Sequence, residues 1–239
     1  MIFKGFENKY EIIDLSNQIQ RRMPRYFSHP PFSLNVWTSK QFGDATNFNM
    51  IVGGEHCGTH VDASLHFFDK TEGGKSIEEY SIDNFIGSCV RLLFPESTSE
   101  TLITVEQIKS QEQEDDPIKE GDIVLFYFGW GKYFNDLSDQ KRFLDDWPGL
   151  SKEAAEYLVE KGVKMVGCDT LAIDATKTML TREYPAHNVL LENEVLITEC
   201  LANIDKLPYR SFYFGVPLNL KDGTGCPIRA FAVVGSEQK

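Results

Sequence analysis

The feature that most limits the fold is Ile123-Val124-Leu125-Phe126-Tyr127-Phe128, a continuous apolar run that follows the turn signal Gly121-Asp122. A strand with one wet face alternates apolar and polar residues, so an unbroken short run requires burial on both faces. That is the position of an inner strand with a layer packed on each side. Val163–Gly167, Val195–Ile197, Ser211–Val216 and Ile228–Val234 read as further strands, as do Tyr10–Ser16 and Phe48–Val52 nearer the start. The helices come singly. Thr104 caps a short amphipathic turn through Ser110. Ser151 caps a helix through Lys161, with Ala154, Ala155, Leu158 and Val159 on one face and Gly162 closing it. No repeat, low-complexity tract or linker divides the chain, so the reading is α/β: a single mixed-sheet domain over residues 1–239.

Charge and cysteine content exclude several roles. The formal charge of −12 lacks the basic footprint that nucleic-acid binding needs and disfavours an anionic membrane surface. No apolar run approaches the roughly 18 residues of a membrane helix, and the start has no basic segment followed by a long apolar one. The five cysteines are widely spaced, with no Cys-x-x-Cys, as expected of reduced thiols in a cytoplasmic protein. The stretch from Gln111 to Asp116 holds four acids in six residues and is expected to be a solvated loop.

Histidine is scarce but concentrated: of five in the chain, three fall within eleven residues, in His56-Cys57-Gly58-Thr59-His60-Val61-Asp62-Ala63-Ser64-Leu65-His66. His60 and Asp62 are two apart, so on an extended backbone they share a face. His56 and His60 are four apart, and Gly58 favours a tight loop over a regular helix between them. The cluster follows the expected strand Phe48–Val52, which would position it. Imidazole and carboxylate together suit Zn²⁺, Mn²⁺ or Fe²⁺. A site this dense draws further ligands from distant sequence; His187 and Glu199, the latter at a strand end, are the candidates.

The pattern His56-x-Gly58-Thr59-His60-x-Asp62-Ala63-x-x-His66 resembles the signature of the metal-dependent cyclase family, which includes bacterial kynurenine formamidase and isatin hydrolase. The resemblance continues through Ile13–Ser16, Gly167–Asp174, Glu199–Pro208 and Pro217–Ala230. It implies a swivelling β/β/α domain, usually dimeric or larger, that hydrolyses an amide, formamide or cyclic amide in a small molecule. It implies one or two divalent ions, zinc or manganese, on His56, His60, Asp62, His187 and Glu199, the last two in the family's twelve-residue spacing. It also implies that His66 donates and accepts the proton. Ser64 stands where the family usually has proline. Tyr26 and Phe27 stand in the region where kynurenine formamidases carry a substrate-facing tryptophan.

Other readings of the same residues stay open. His60, Asp62 and His187 match the two-histidine, one-carboxylate set of non-haem iron oxygenases, which leaves His56 and His66 without a role. A binding protein with a saturated metal shell is the non-catalytic alternative. Cys57 beside His56 is a conceivable nucleophile, although neighbours on an extended backbone point to opposite faces. Asp169 and Asp174 are expected to cap a helix or fix a loop. Trp130, Tyr133, Phe134 and Trp147 suit a pocket wall or core packing equally, and Gly223-Thr224-Gly225 is too short for a phosphate cradle.

Overall fold

The computed structural model describes residues 10–135, 138 and 140–235. In chain order the strands are β1 (Tyr10–Asp14), β2 (Ser33–Thr38), β3 (Phe48–Val52), β4 (His60–Asp62), β5 (Ile86–Leu93), β6 (Leu102–Ile103) and β7 (Ile123–Tyr127). They continue as β8 (Gly149–Leu150), β9 (Met165–Cys168), β10 (Leu196–Glu199), β11 (Arg210–Phe214), β12 (Gly225–Pro227) and β13 (Phe231–Gly235). The helices are α1 (Val105–Gln111), α2 (Gln140–Asp145), α3 (Lys152–Glu160), α4 (Thr176–Leu180) and α5 (Pro185–Glu192).

Nine strands form one mixed sheet in the order β1-β13-β11-β5-β7-β9-β10-β4-β12. The centre, β5 through β10, is parallel, and both wings are antiparallel. The apolar run sits where its composition requires. Val124 and Phe126 of β7 join the core under α1, α3 and α5, while Ile123 and Leu125 join a second core on the opposite face. Phe126 is fully buried, and truncating such a ring to Ala costs about 3–5 kcal/mol. Trp130, Phe134 and Trp147 are buried in the helix-side core, with Tyr133 packed against it.

Three expectations change. The strand before the histidine cluster, β3, does not belong to the main sheet: it pairs only with β2, in a hairpin whose Val36, Trp37, Phe48 and Ile51 are exposed. The cluster is instead positioned by β4, whose three residues carry no local strand signal and are held between β10 and β12 by long-range pairing. The acidic stretch after α1 is only partly solvated. Glu112 accepts from the Tyr157 hydroxyl at 2.5 Å and from Lys161, and Asp116 accepts from Arg210 Nε at 2.6 Å. These contacts tie α1 to α3 and β11. Finally, the chain forms β5 and α5, which the sequence reading does not anticipate; α5 begins at Pro185, which suits a first helical position because its missing N–H would be unpaired there.

Candidate metal centre

Strand register brings the motif together. Glu199 on β10 lies opposite His60 on β4, and Ile197 lies opposite Asp62. Val61 between the two motif residues faces the second core, so His60, Asp62 and Glu199 share the face that looks toward the helices. On that side α5 brings His187 in its first turn. The result is a ring of donors in which each carboxylate spans two imidazoles. His60 Nε2 lies 3.3 Å from Asp62 Oδ1 and 3.6 Å from Glu199 Oε2; His187 Nε2 lies 3.7 Å from Asp62 Oδ2 and 3.2 Å from Glu199 Oε1. Ligand atoms held about 2.1 Å from one ion in a tetrahedron are about 3.4 Å apart; the four imidazole–carboxylate separations are close to that, and His60, Asp62 and Glu199 form a compact donor group that could hold an ion, with His187 at its edge.

His56 completes the cluster on the other side of Asp62, with Nδ1 2.6 Å from Oδ1. Its ring stacks on His66, centroids 3.8 Å apart, and His56, Asp62 and His66 form a second group of close donor atoms sharing Asp62 with the group of His60, Asp62 and Glu199. The loop between His56 and His60 turns at Gly58, with φ +64°, as its sequence suggests. Gly225, opposite Asp62 on β12, leaves the space that the His56 ring fills: a Cβ there would stand 2.5 Å from His56 Cε1.

The surroundings fix which nitrogen each ring presents. His60 Nδ1 donates to the Gly58 carbonyl at 2.8 Å, leaving Nε2 for the ring of donors. His187 Nδ1 donates to Asp174 Oδ2 at 2.6 Å, again freeing Nε2. Asp174 also accepts from the amides of Ala186 at 2.7 Å and His187 at 3.1 Å, so one buried carboxylate both caps α5 and orients its histidine. Such outer partners set the tautomer of a metal-binding histidine. Glu199 Oε1 is held by the Ile173 amide at 2.8 Å. Asp169 faces elsewhere and fixes the 128–131 loop through three amides at 2.8–3.1 Å; burial pushes its carboxyl up to about 6.

Electrostatics agree with a cation site. Asp62 is 1% exposed, and its Oδ2 has no hydrogen-bond partner among the described residues. Burial opposes its charge, yet His56 and His60 outweigh that and hold its carboxyl well below the usual range. Burial likewise opposes protonation of His60, but Asp62 and Glu199 raise it to about 9. A buried carboxylate oxygen without a donor, facing several imidazoles, is what a divalent ion satisfies. Burial, reinforced by neighbouring imidazoles against the opposing pull of Asp62, takes His66 down to about 3, so that its ring is neutral at pH 7.

The cluster lines the floor of a cavity of about 500 Å³. Tyr26 reaches its wall, whereas Phe27 is 82% exposed and packs on Tyr26 outside it. None of Trp130, Tyr133, Phe134 and Trp147 lines this cavity. Cys57 is buried away from it, and burial raises its thiol, which removes the thiolate that nucleophilic attack needs. Ser64 is buried as well, its hydroxyl accepting from the Lys75 amide at 2.8 Å and the Tyr80 hydroxyl at 2.9 Å. The turn that presents His66 is therefore pinned without the proline. Sequence reasoning missed His29, Thr224 and Gly225. His29 lines the cavity with Nδ1 3.2 Å from the His56 carbonyl, and Thr224 Oγ1 lies 2.9 Å from His56 Nε2. No motif signals His29. Gly223-Thr224-Gly225 lies within the Pro217–Ala230 resemblance, but its contact with His56 does not show in sequence because Thr224 is 168 positions away from it.

Known proteins share this fold. The family model Cyclase ("Putative cyclase") matches residues 13–175. The isatin hydrolase of Roseibium aggregatum is 30% identical over 257 aligned positions, covering 97% of this chain and 94% of its own. A kynurenine formamidase of Bacillus cereus is 26% identical, covering 92% of this chain and 96% of its own. Among solved structures, isatin hydrolase A from Labrenzia aggregata bound to benzyl benzoate superposes with a TM-score of 0.84 at 27% identity, over 94% of each chain. The chain belongs to the cyclase family, and its fold is that family's mixed α/β domain.

Proposed function

We propose that the chain is a metal-dependent hydrolase that opens an amide, formamide or cyclic amide bond in a small organic molecule. The observation that carries this is the donor ring of His60, Asp62, His187 and Glu199, with His56 beside it, facing an open cavity rather than closed over by protein. Structural zinc shells are closed, whereas catalytic ones keep a position for substrate. Isatin hydrolase and kynurenine formamidase among the relatives support the same class of bond. The five residues would hold zinc or manganese, as one ion or as two sharing Asp62. When bound, a divalent ion lowers the pKa of its water from about 15.7 toward roughly 7 and polarises the carbonyl.

The chain's own groups do the rest. His60 and His187 are oriented by Gly58 and Asp174 so that neither ring has to reorganise. His66 lies beside His56 on the cavity lining, where a neutral imidazole can take a proton and return it to the leaving nitrogen, a contribution of about 10²–10⁴ in rate. Tyr26 forms part of the substrate wall. The cavity suits a drug-sized molecule, and with a chain charge of −12 it speaks against a nucleic-acid substrate. Five free cysteines, all buried, suit a reducing cytoplasm, and no helix among the described residues is long and apolar enough to cross a membrane. We further propose that the chain self-associates through the β2–β3 hairpin, because an isolated two-stranded ribbon with exposed apolar side chains is marginal in water and would be stabilised by burial against a second copy.

Metal analysis followed by a hydrolysis screen of formamides, isatin-like lactams and lactones tests the reading. Turnover with Zn²⁺ or Mn²⁺ under anaerobic conditions is expected. Oxygen consumption with iron and no hydrolysis would establish the oxygenase instead. Tight metal binding without turnover of any of these substrates would favour the binding protein.

A further inference from the structure

The floor of the cavity accounts for the reaction but not for which amide is taken. Its mouth is built by two segments: residues 24–29, which contribute Arg25 and Tyr26, and the α4–α5 connection, which contributes Arg182 and Tyr184. In a chain with 36 acids and 24 Lys and Arg, the charged lining is oddly distributed. Apart from the histidines, it consists of Glu199 at the floor and these two arginines at the mouth. Among the described residues neither guanidinium has a carboxylate within 4.0 Å, although many of the chain's other cations do.

The Arg25 side chain and the Arg182 backbone are held in place, and both guanidinium groups are exposed at the rim. Arg25 Nε donates to the His29 carbonyl at 3.0 Å, which leaves its terminal nitrogens free. Arg182 and Tyr184 adopt left-handed backbone conformations, φ 59° and 43°, that side chains other than glycine rarely take. The segment keeps them through the Arg182 amide on Met179 at 3.0 Å and Asn188 Nδ2 on the Glu183 carbonyl at 2.8 Å. The Tyr26 and Tyr184 hydroxyls approach within 3.5 Å across the same rim. Burial and that contact push the Tyr26 phenol up to about 12, so it remains a donor at neutral pH.

We propose that the cavity mouth is an anion subsite in which Arg25 and Arg182, with the Tyr26 and Tyr184 hydroxyls, receive a carboxylate carried by the substrate at a distance from the bond that is cleaved. The substrate class is thus a small anionic amide rather than a neutral one. This rests on the hydrolase reading above. Guanidinium forks match carboxylates geometrically, and phenol hydroxyls complete the acceptor's shell.

The test compares 4-formamidobenzoate with formanilide on the zinc- or manganese-loaded protein. The wild type should favour the carboxylate by at least about tenfold in kcat/KM, expressed mainly in KM, as expected for a charge-assisted contact remote from the chemistry. Arg25→Gln and Arg182→Gln should each reduce that ratio about fivefold or more, and Arg182→Lys, which keeps the charge, should restore part of it. Equal turnover of both compounds, or a ratio unchanged in the variants, would overturn the subsite while leaving the hydrolase intact. If neither compound is cleaved, the hydrolase reading fails for formanilides and calorimetry decides the subsite. Tighter binding of 4-formamidobenzoate that weakens in both Gln variants supports it, and equal binding of the two compounds refutes it.

Discussion

Substituting Gly225 by alanine tests whether the packing behind His56 is what shapes the metal centre. The added Cβ would stand 2.5 Å from His56 Cε1, 3.1 Å from its Nδ1 and 2.7 Å from the Val61 carbonyl. Ordinary contacts begin near 3.4 Å, so the ring must retreat by roughly 1 Å, and overpacking of this kind costs about 1–3 kcal/mol. At about 2–4 °C per kcal/mol for a chain of this size, Tm should fall by roughly 2–12 °C. The displaced ring loses its 2.6 Å contact with Asp62 and its 2.9 Å contact with Thr224, and Zn²⁺ affinity should fall about 10–100-fold, as for other lost supports of a metal shell. The assays are calorimetric Zn²⁺ titration and thermal unfolding of the single variants and of the double variant with His56→Ala. Without the imidazole two of the three nearest atoms are gone and the Val61 carbonyl stays, so Gly225→Ala should cost less in that background, with a coupling of at least about 1 kcal/mol. Strict additivity, or Gly225→Ala with wild-type metal affinity, would show that Gly225 does not make room for His56.

Asp62→Ala should lose metal and activity together, whereas His66→Ala should retain metal and lose about 10²–10⁴ in kcat; full turnover in His66→Ala would remove its proton-transfer role. Asp174→Ala strips one buried carboxylate from two α5 amides and His187 Nδ1. It should lower both stability and metal affinity, the latter about 10–100-fold by titration. A Tm loss with unchanged affinity would make Asp174 a helix cap alone. Asp169 titrates near 6 in the fold, above the usual 3.8, so the folded chain binds a proton there that the unfolded chain has released. Its contribution is largest below about pH 4 and is lost as pH rises through 6. Relative to Asp169→Asn, the wild type should therefore gain roughly 1 kcal/mol between pH 7 and pH 5, read from denaturant unfolding at each pH.

What the chain reveals before folding is the chemistry carried by short-range pattern. The run from Ile123 announced a strand buried on two faces, Ser151 and Gly162 bracketed α3, and His56, His60, Asp62 and His66 are close because they are neighbours in sequence. The scarcity of other histidines marked His187, a carboxylate at a strand end marked Glu199, and the family's twelve-residue spacing tied the two together. Tertiary structure alone decided the rest, because it depends on pairing between distant segments. β4 is too short to declare itself and exists through β10 and β12. Gly225 matters only because strand register sets it opposite Asp62. Asp174 orients His187 across a turn that no propensity describes. Arg25 and Arg182 meet at one rim from segments more than 150 positions apart. A metal motif is legible because its ligands must be near one another, and a local loop is the simplest way to arrange that. The walls of the cavity obey no such constraint, so only the folded chain shows them.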